Sequence, residues 1–172
     1  MIDSLRLRRV LGHYPTGVVV IAALEDGQPH GFTVNSFTSV SLDPPIVSFC
    51  AAHTSATWPR IKAAGAFTIS VLGAGQEQVC RSFAAKGSDK FAGVGWSVRE
   101  SGHPAITDAV AWIDCVLDLS HVVGDHELIL AKVVSLTVND SDDDPLVFHR
   151  GRLGRVCAET FPILTRRCPA LA

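Results

Sequence analysis

The sequence predicts a mainly β protein, an antiparallel β-barrel with a few short helices. Three observations predict it. Apolar, β-branched runs recur along most of the 172 residues. Hairpin signals separate several of them. Only two or three short segments carry a helical pattern, too few for the crossover helices of a doubly wound sheet. No G-x-G-x-x-G follows a strand run, so no Rossmann-type nucleotide site is indicated.

Taken in order, residues 3–13 read as a short helix with Asp3 or Ser4 as N-cap and Leu7, Val10 and Leu11 on one side. Residues 12–17, Gly-His-Tyr-Pro-Thr-Gly, end it. Val18–Ala23 is continuously apolar, hence a strand covered on both faces. Asp26-Gly27 makes a hairpin turn into a long segment, Thr33–Pro45, closed by Pro44-Pro45. Along it Phe32, Val34, Val40 and Leu42 alternate with Thr33, Asn35, Ser39 and Ser41, with Phe37 among the second set. The segment reads as one strand with a neutral, hydroxyl-rich face. Such a face suits the wall of a site for a flat, polar-edged ligand; an ordinary polar sheet face explains it as well.

Ile46–Ala51 is a third strand, and residues 54–65 a helix with Pro59 in its first turn and Gly65 as C-cap. Phe67–Leu72 is a strand, Gln76–Ala85 a helix and Lys86–Gly95 a loop. Trp112–Ser120 alternates weakly, Gly124-Asp125-His126 is a turn, Glu127–Val138 a long apolar strand and Leu146–His149 a short last one. The four aspartates within residues 140–144 read as a solvated loop.

Composition bounds the function. Hydrophobic content of 47% and charged content of 19% are those of a folded chain long enough to bury a core. A net charge of −2 gives no pull toward nucleic acid. No apolar run is long enough to span a bilayer, and the first residues lack a signal-peptide layout, so no membrane partner is expected. The five cysteines, at 50, 80, 115, 157 and 168, form an odd, widely spaced set without C-x-x-C spacing; reduced thiols and a cytoplasmic location are expected, with no metal site. Residues 1–156 are expected to form one domain, and 157–172, with Pro162, Pro169 and Arg166-Arg167, a mobile C-terminal tail.

Four places offer chemistry. Ser55 and Thr57 precede a helix, where unpaired N–H groups and hydroxyls suit a phosphate, although plain N-capping explains them equally well. Lys90 and Phe91 stand in a Gly-containing loop, the first able to neutralise a phosphate and the second to cover a ring edge or to fill the core. His126 follows a turn, where an imidazole can donate to a carboxamide, shuttle a proton or simply be solvated. His149-Arg150-Gly151-Arg152 is a cationic strand end usable for a second phosphorylated ligand.

Together these segments resemble the short-chain flavin reductases, the reductase partners of two-component flavin-dependent monooxygenases, which share an FMN-binding split-barrel fold of antiparallel Greek-key type. The resemblance spans roughly residues 5–156. It rests on Tyr14–Val18, the Thr33–Pro45 segment, Ser55-Ala56-Thr57, Asp89–Val94, Gly124-Asp125-His126 and Phe148–Gly151. It implies a flavin, FMN or FAD, against Thr33, Val34, Asn35, Ser36 and Ser39, with Cys50, Ala51 and Phe91 beside it and its phosphate at Ser55, Thr57 and Lys90. NADH, with NADPH as the alternative, would stack on the open flavin face near His126, His149, Arg150 and Gly151, with His126 first a positioning residue and second a proton donor. A homodimer with the flavin near the interface is implied, as is a separate monooxygenase reached by diffusing reduced flavin. Many relatives carry an aromatic where Leu153 stands, and a Gly where Ala131 or Lys132 stands. A pyridoxamine-phosphate-oxidase-like enzyme, with only Arg150, Arg152 and Arg155 as second-phosphate candidates, and a non-catalytic flavin-binding protein are the competing readings.

Overall fold

A computed structural model describes residues 2–87, 89–141 and 143–156. Its elements run α1 (Ser4–Leu11), β1 (Thr16–Gly17), β2 (Val19–Glu25), β3 (Gln28–Val34), β4 (Thr38–Leu42), β5 (Pro45–Ala52), α2 (Trp58–Ala64) and β6 (Ala66–Val71). A 3₁₀ turn (Ala74–Gln76) leads into α3 (Glu77–Ala84), followed by β7 (Trp96–Val98), β8 (Pro104–Ile106), β9 (Ala111–Val123), β10 (His126–Val138), β11 (Leu146–His149) and β12 (Arg152–Arg155). The fold is mainly β and antiparallel. The main sheet has the order β3-β2-β6-β9-β10-β5-β4, beside a β1-β11-β12 sheet and a β7-β8 hairpin.

This order forces the sheet to close. β3 and β4 are the two outer strands, yet they are consecutive in sequence. Val34 and Thr38 are joined by a linker that reaches roughly 14 Å at full extension. The outer strands of a flat seven-stranded sheet would stand roughly 29 Å apart. The sheet must therefore curl, with residues 35–37 as its seam.

That seam corrects the sequence expectation of one strand over Thr33–Pro45. The chain leaves the sheet after Val34 and re-enters at Thr38, and the pairing of β4 with β5 slips between Ser39 and Ser41. The alternation read across residues 32–42 thus changes phase. Val40 and Leu42 are 53% and 89% exposed instead of facing the core, and Phe37 packs against it.

β2 explains its own apolar run. Val19, Ile21 and Ala23 face the barrel interior, with Phe32, Phe49, Trp58, Phe67 and Ile69. Val18, Val20 and Ala22 face a second core under α3 and β11, with Leu72, Phe83, Phe91 and Leu146. A strand covered on both faces has no reason to alternate. Its hairpin to β3 turns on Asp26 and Gly27, both at positive φ (51° and 74°), the geometry that gives Asp-Gly its preference. Gly31 on β3 lets the second core close: a Cβ there would meet the Phe83 ring at 2.5 Å.

β1, the β7-β8 hairpin and β12 were not expected from sequence; each has two to four residues, too short for periodicity to register. α1 starts on the Asp3 cap as expected, but none of its residues is buried in this chain. The tail expected over 157–172, with Cys157 and Cys168, lies outside the described residues.

One polar group sits deep in the barrel wall. The buried Asp114 carboxylate accepts from Thr68 Oγ1 (2.6 Å), Ser101 Oγ (2.9 Å) and Arg99 Nε (3.1 Å). Arg99 also donates to Thr137 and lies over the Trp112 ring. Removing the carboxylate leaves a largely desolvated guanidinium unpaired. Asp114→Ala is expected to cost about 3–5 kcal/mol in urea unfolding. A loss below about 1 kcal/mol would mean that water replaces the pair.

Candidate functional site

The seam is held by one hydroxyl. Ser36 Oγ accepts from the Cys50 backbone N–H at 2.9 Å and lies 3.4 Å from the Cys50 carbonyl, so it stands in for a strand partner where β3 has ended. Asn35 Nδ2 donates to Thr16 Oγ1 at 3.4 Å, joining the seam to β1. Thr33 Oγ1 donates to the Cys80 carbonyl at 3.0 Å, so its hydroxyl ties β3 to α3. Val34 and Ala51 point into the barrel core and offer a ligand only backbone. The exposed surface of residues 35–36 is neutral and polar. Ser39 stands beyond it on β4, opposite Val47.

β5 carries the chain from Cys50 into a loop over 53–57. Ser55 N–H donates to the Ala52 carbonyl (2.9 Å), and Ser55 Oγ accepts from Trp58 N–H (3.1 Å) and caps α2. α2 has seven residues, so its terminal partial charge is small and the expected helix-terminus anion site is weak by itself. The substantial charge is Lys90, whose Nζ donates to Thr57 Oγ1 at 3.3 Å. Burial pushes the Lys90 ammonium below the ordinary lysine value. Among the described residues its amine is in no ion pair. A half-buried cation held only by a hydroxyl is a place made for an anion. Phe91, expected beside the flavin ring, is 8% exposed and packs edge-on against Phe83 (4.8 Å) and Trp96 (5.3 Å); it belongs to the core.

His126 opens β10 directly opposite Ala52 on β5. Its Nδ1 is 2.6 Å from Asp125 Oδ1, which leaves Nε2 for a ligand. The Asp125 carbonyl accepts from His53 N–H at 3.0 Å, so the His126 turn is tied to the loop that carries Ser55 and Thr57. The hydrogen bond and the charge of His126 hold the Asp125 carboxyl below its usual value.

His149, Arg150 and Gly151 lie in the other sheet, at the β11-β12 turn. Arg150 and Gly151 both have positive φ (52° and 77°), and Arg150 N–H donates to the Gly12 carbonyl at 2.8 Å, which fixes the turn against the end of α1. A cavity of about 290 Å³ runs from this turn to the seam, lined by Thr33, Asn35, Phe148, Gly151 and Leu153 among others. The structure thus gathers Asn35, Ser36, Cys50, Ser55, Thr57 and Lys90 along one edge, with His126 at one end and Gly151 at the other. Among the described residues no hydrogen bond joins His126 to residues 149–151. Thr16, which bonds Asn35, was not expected from sequence as a site residue, because it sits in a two-residue strand. Leu153, singled out as standing where many relatives carry an aromatic, lines the cavity.

Comparison with known proteins shows the family. The profile of the flavin reductase like domain matches residues 11–156. The chain belongs to the flavin reductase-like family. It is an oxidoreductase. It is 44% identical to a flavin reductase of Pseudomonas putida over 91% of this chain and 92% of that protein. It is 41% identical to the reductase subunit of a flavin-dependent monooxygenase of Rhodococcus jostii, over 88% and 77% respectively. An NADH:FAD oxidoreductase of Streptomyces globisporus, solved with NAD and FAD fragments, superposes with a TM-score of 0.85 at 39% identity, covering 90% of this chain and 93% of that one. These relatives support the reductase reading over the phosphoamine-oxidase and flavin-storage readings. No helix is long and apolar enough to cross a membrane among the described residues.

The Asp125–His126 pair gives a direct check. The charged carboxylate is favoured, so any stability it contributes is complete above the unfolded aspartate value and is lost as pH falls through the lower folded value. Carboxyl carbon NMR is expected to show Asp125 titrating below the ordinary value of about 3.9, and His126→Ala to return it there. No change in that variant would dissolve the pair.

Proposed function

We propose that residues 1–156 reduce a flavin with NADH and release it, reduced, to a separate flavin-dependent monooxygenase. The Lys90 ammonium, half-buried against Thr57 with no carboxylate partner among the described residues, is the observation that carries this reading. It matches a flavin phosphate in charge, and Thr57 ties it to the loop that follows β5.

When bound, flavin would supply the electrophilic centre for hydride transfer from the nicotinamide. The chain's part is binding and orientation. Lys90, Thr57 and Ser55 hold the phosphate. Asn35, Ser36 and the backbone around Cys50 meet the polar edge of the ring system with neutral donors, which hold an oxidised and a reduced ring without a fixed charge that traps either. His126, its Nδ1 held by Asp125, presents Nε2 to the nicotinamide carboxamide. His149, Arg150 and Gly151 meet the nicotinamide dinucleotide from the other end. The relatives' names supply NADH, FAD and the monooxygenase partner to this reading.

The working unit is a homodimer in this reading. Leu7, Val10 and Leu11 on α1, and Leu119, Val122, Val134 and Leu136 on β9 and β10, are all exposed in the single chain. Apolar surface of that extent on a folded chain marks an interface.

Four measurements test the proposal. NADH oxidation with free FMN or FAD should turn over many times per protein; a tightly yellow protein without NADH oxidation would refute it. Lys90→Met should weaken FMN binding by about tenfold or more, the scale of one lost charged hydrogen bond, and leave riboflavin, which lacks the phosphate, unchanged. In the wild type FMN affinity should fall as pH rises, at pH values below the ordinary lysine range, because the ammonium is lost there; equal losses for riboflavin would remove Lys90 from the phosphate site. His126→Ala should raise KM for NADH by more than it raises the flavin Kd, and an unchanged KM would end its positioning role.

A further inference from the structure

We propose that Glu127 is a positioning residue for flavin binding: through the Trp58 indole, its carboxylate sets the loop whose Ser55 and Thr57 hydroxyls meet the flavin phosphate. This role rests on the phosphate placement in the reductase reading above and adds the group that holds that loop in shape.

Glu127 follows His126 on β10, and successive side chains leave a strand on opposite faces. Glu127 pairs with Ala51 and shares its inward phase with Ile129 and Ala131, which lie in the barrel core. An inward position at the end of a barrel strand ordinarily takes an apolar residue. Here it holds a carboxylate only 19% exposed. A largely covered carboxylate needs donors, and α2 supplies them. Trp58 Nε1 donates to Oε2 at 2.8 Å. Lys62 Nζ, one helical turn further on, donates to Oε1 at 3.2 Å and to Oε2 at 3.0 Å. The indole first and the ammonium second hold the Glu127 carboxyl below its usual value.

Trp58 joins that carboxylate to the loop. Its ring is 4% exposed and stands edge-on to Phe32 and Phe49, with centroids 6.4 and 5.5 Å away. Core packing holds the ring, and the bond to Glu127 fixes where its N–H points. The backbone N–H of the same residue donates to Ser55 Oγ at 3.1 Å. A hydroxyl that accepts keeps its own hydrogen, so Ser55 has an O–H left to donate. Thr57 accepts from Lys90 Nζ and is left with its O–H in the same way. Among the described residues neither hydroxyl donates elsewhere. Two hydroxyl hydrogens and one ammonium are thus left for an anion. The other end of the loop is tied to the same turn, since His53 N–H donates to the Asp125 carbonyl at 3.0 Å. His53 and Trp58 are therefore fixed to the residues on either side of His126. Without the Glu127 carboxylate one end of the loop is released, and ordering its hydroxyls around a phosphate then costs affinity.

The test is the Kd of FMN and of riboflavin, which lacks the phosphate, read by flavin fluorescence on variants whose far-UV circular dichroism matches the wild type. Glu127→Leu removes the acceptor at an inward position that suits an apolar side chain. It should raise the FMN Kd by about fivefold or more and the riboflavin Kd by less than about twofold. Glu127→Gln keeps an acceptor for the indole and should bring FMN back to within about threefold of the wild type. Trp58→Phe removes the donor and keeps a ring in the core; it should match Glu127→Leu, and the double variant should lose less than about twofold more than either. Should one single variant fail to fold, the other decides by the same comparison of FMN with riboflavin. A smaller FMN loss, a matching loss for riboflavin, tighter FMN once the negative charge is gone, no recovery in Glu127→Gln, or additive losses in the double variant would each overturn the role of Glu127. A wild type that binds riboflavin as tightly as FMN fails the phosphate placement itself, and the role of Glu127 falls with it. A wild type that discriminates the two flavins but oxidises no NADH fails the reductase reading alone, and the same Kd values still decide what Glu127 does.

Discussion

The three-residue seam between β3 and β4 constrains everything around it. The two outer strands of a seven-stranded sheet cannot be joined by Asn35, Ser36 and Phe37 unless the sheet closes on itself. Closure brings the end of β3 against the end of β5, and the backbone N–H of Cys50 meets the Ser36 hydroxyl in place of a strand partner. A seam is where a barrel leaves backbone and small polar side chains facing outward. It is also where a ligand that needs many weak, neutral hydrogen bonds finds them. Closure and binding edge are therefore one structural event.

The seam stretch of that edge, Asn35 and Ser36, is neutral. Lys90 stands further along it, half-buried and bonded to Thr57. The arginines of the β11-β12 hairpin stand beyond the Gly151 end. His126 is locked to Asp125 and, through the Asp125 carbonyl, to the loop bearing Ser55. In the proposed reading, the neutral middle is what lets a reduced flavin leave. A fixed cation at the ring edge would hold the anionic reduced form more tightly than the oxidised one.

Much of this was legible in the sequence. The apolar run at Val18–Ala23, the Asp26-Gly27 turn and the Gly65 cap use local rules that the structure obeys. The segments around Ser36, Ser55, Lys90 and His126 were singled out for residue types that suit polar binding, and the structure brings Ser36 to Cys50 and Lys90 to Thr57. The seam was misread because alternation across residues 32–42 hides a change of direction. Phase is a local signal, and only the sheet order reveals that Val34 and Thr38 belong to opposite edges. Phe91 was placed beside the ligand because an aromatic next to a lysine fits either role, and the space beside Phe83 and Trp96 decided it. The place of Thr16 was invisible, and Arg152 and Arg155 were read as a cationic end without the strand that carries them, since strands of two to four residues give no periodicity and become a wall only once paired with β11.

A crystal structure of the chain with FMN tests the central claim most directly. The ring's polar edge is expected along Asn35, Ser36 and the Cys50 backbone, with the phosphate among Ser55, Thr57 and Lys90. A phosphate bound instead among the arginines of the β11-β12 hairpin, with the ring away from the seam, would contradict it.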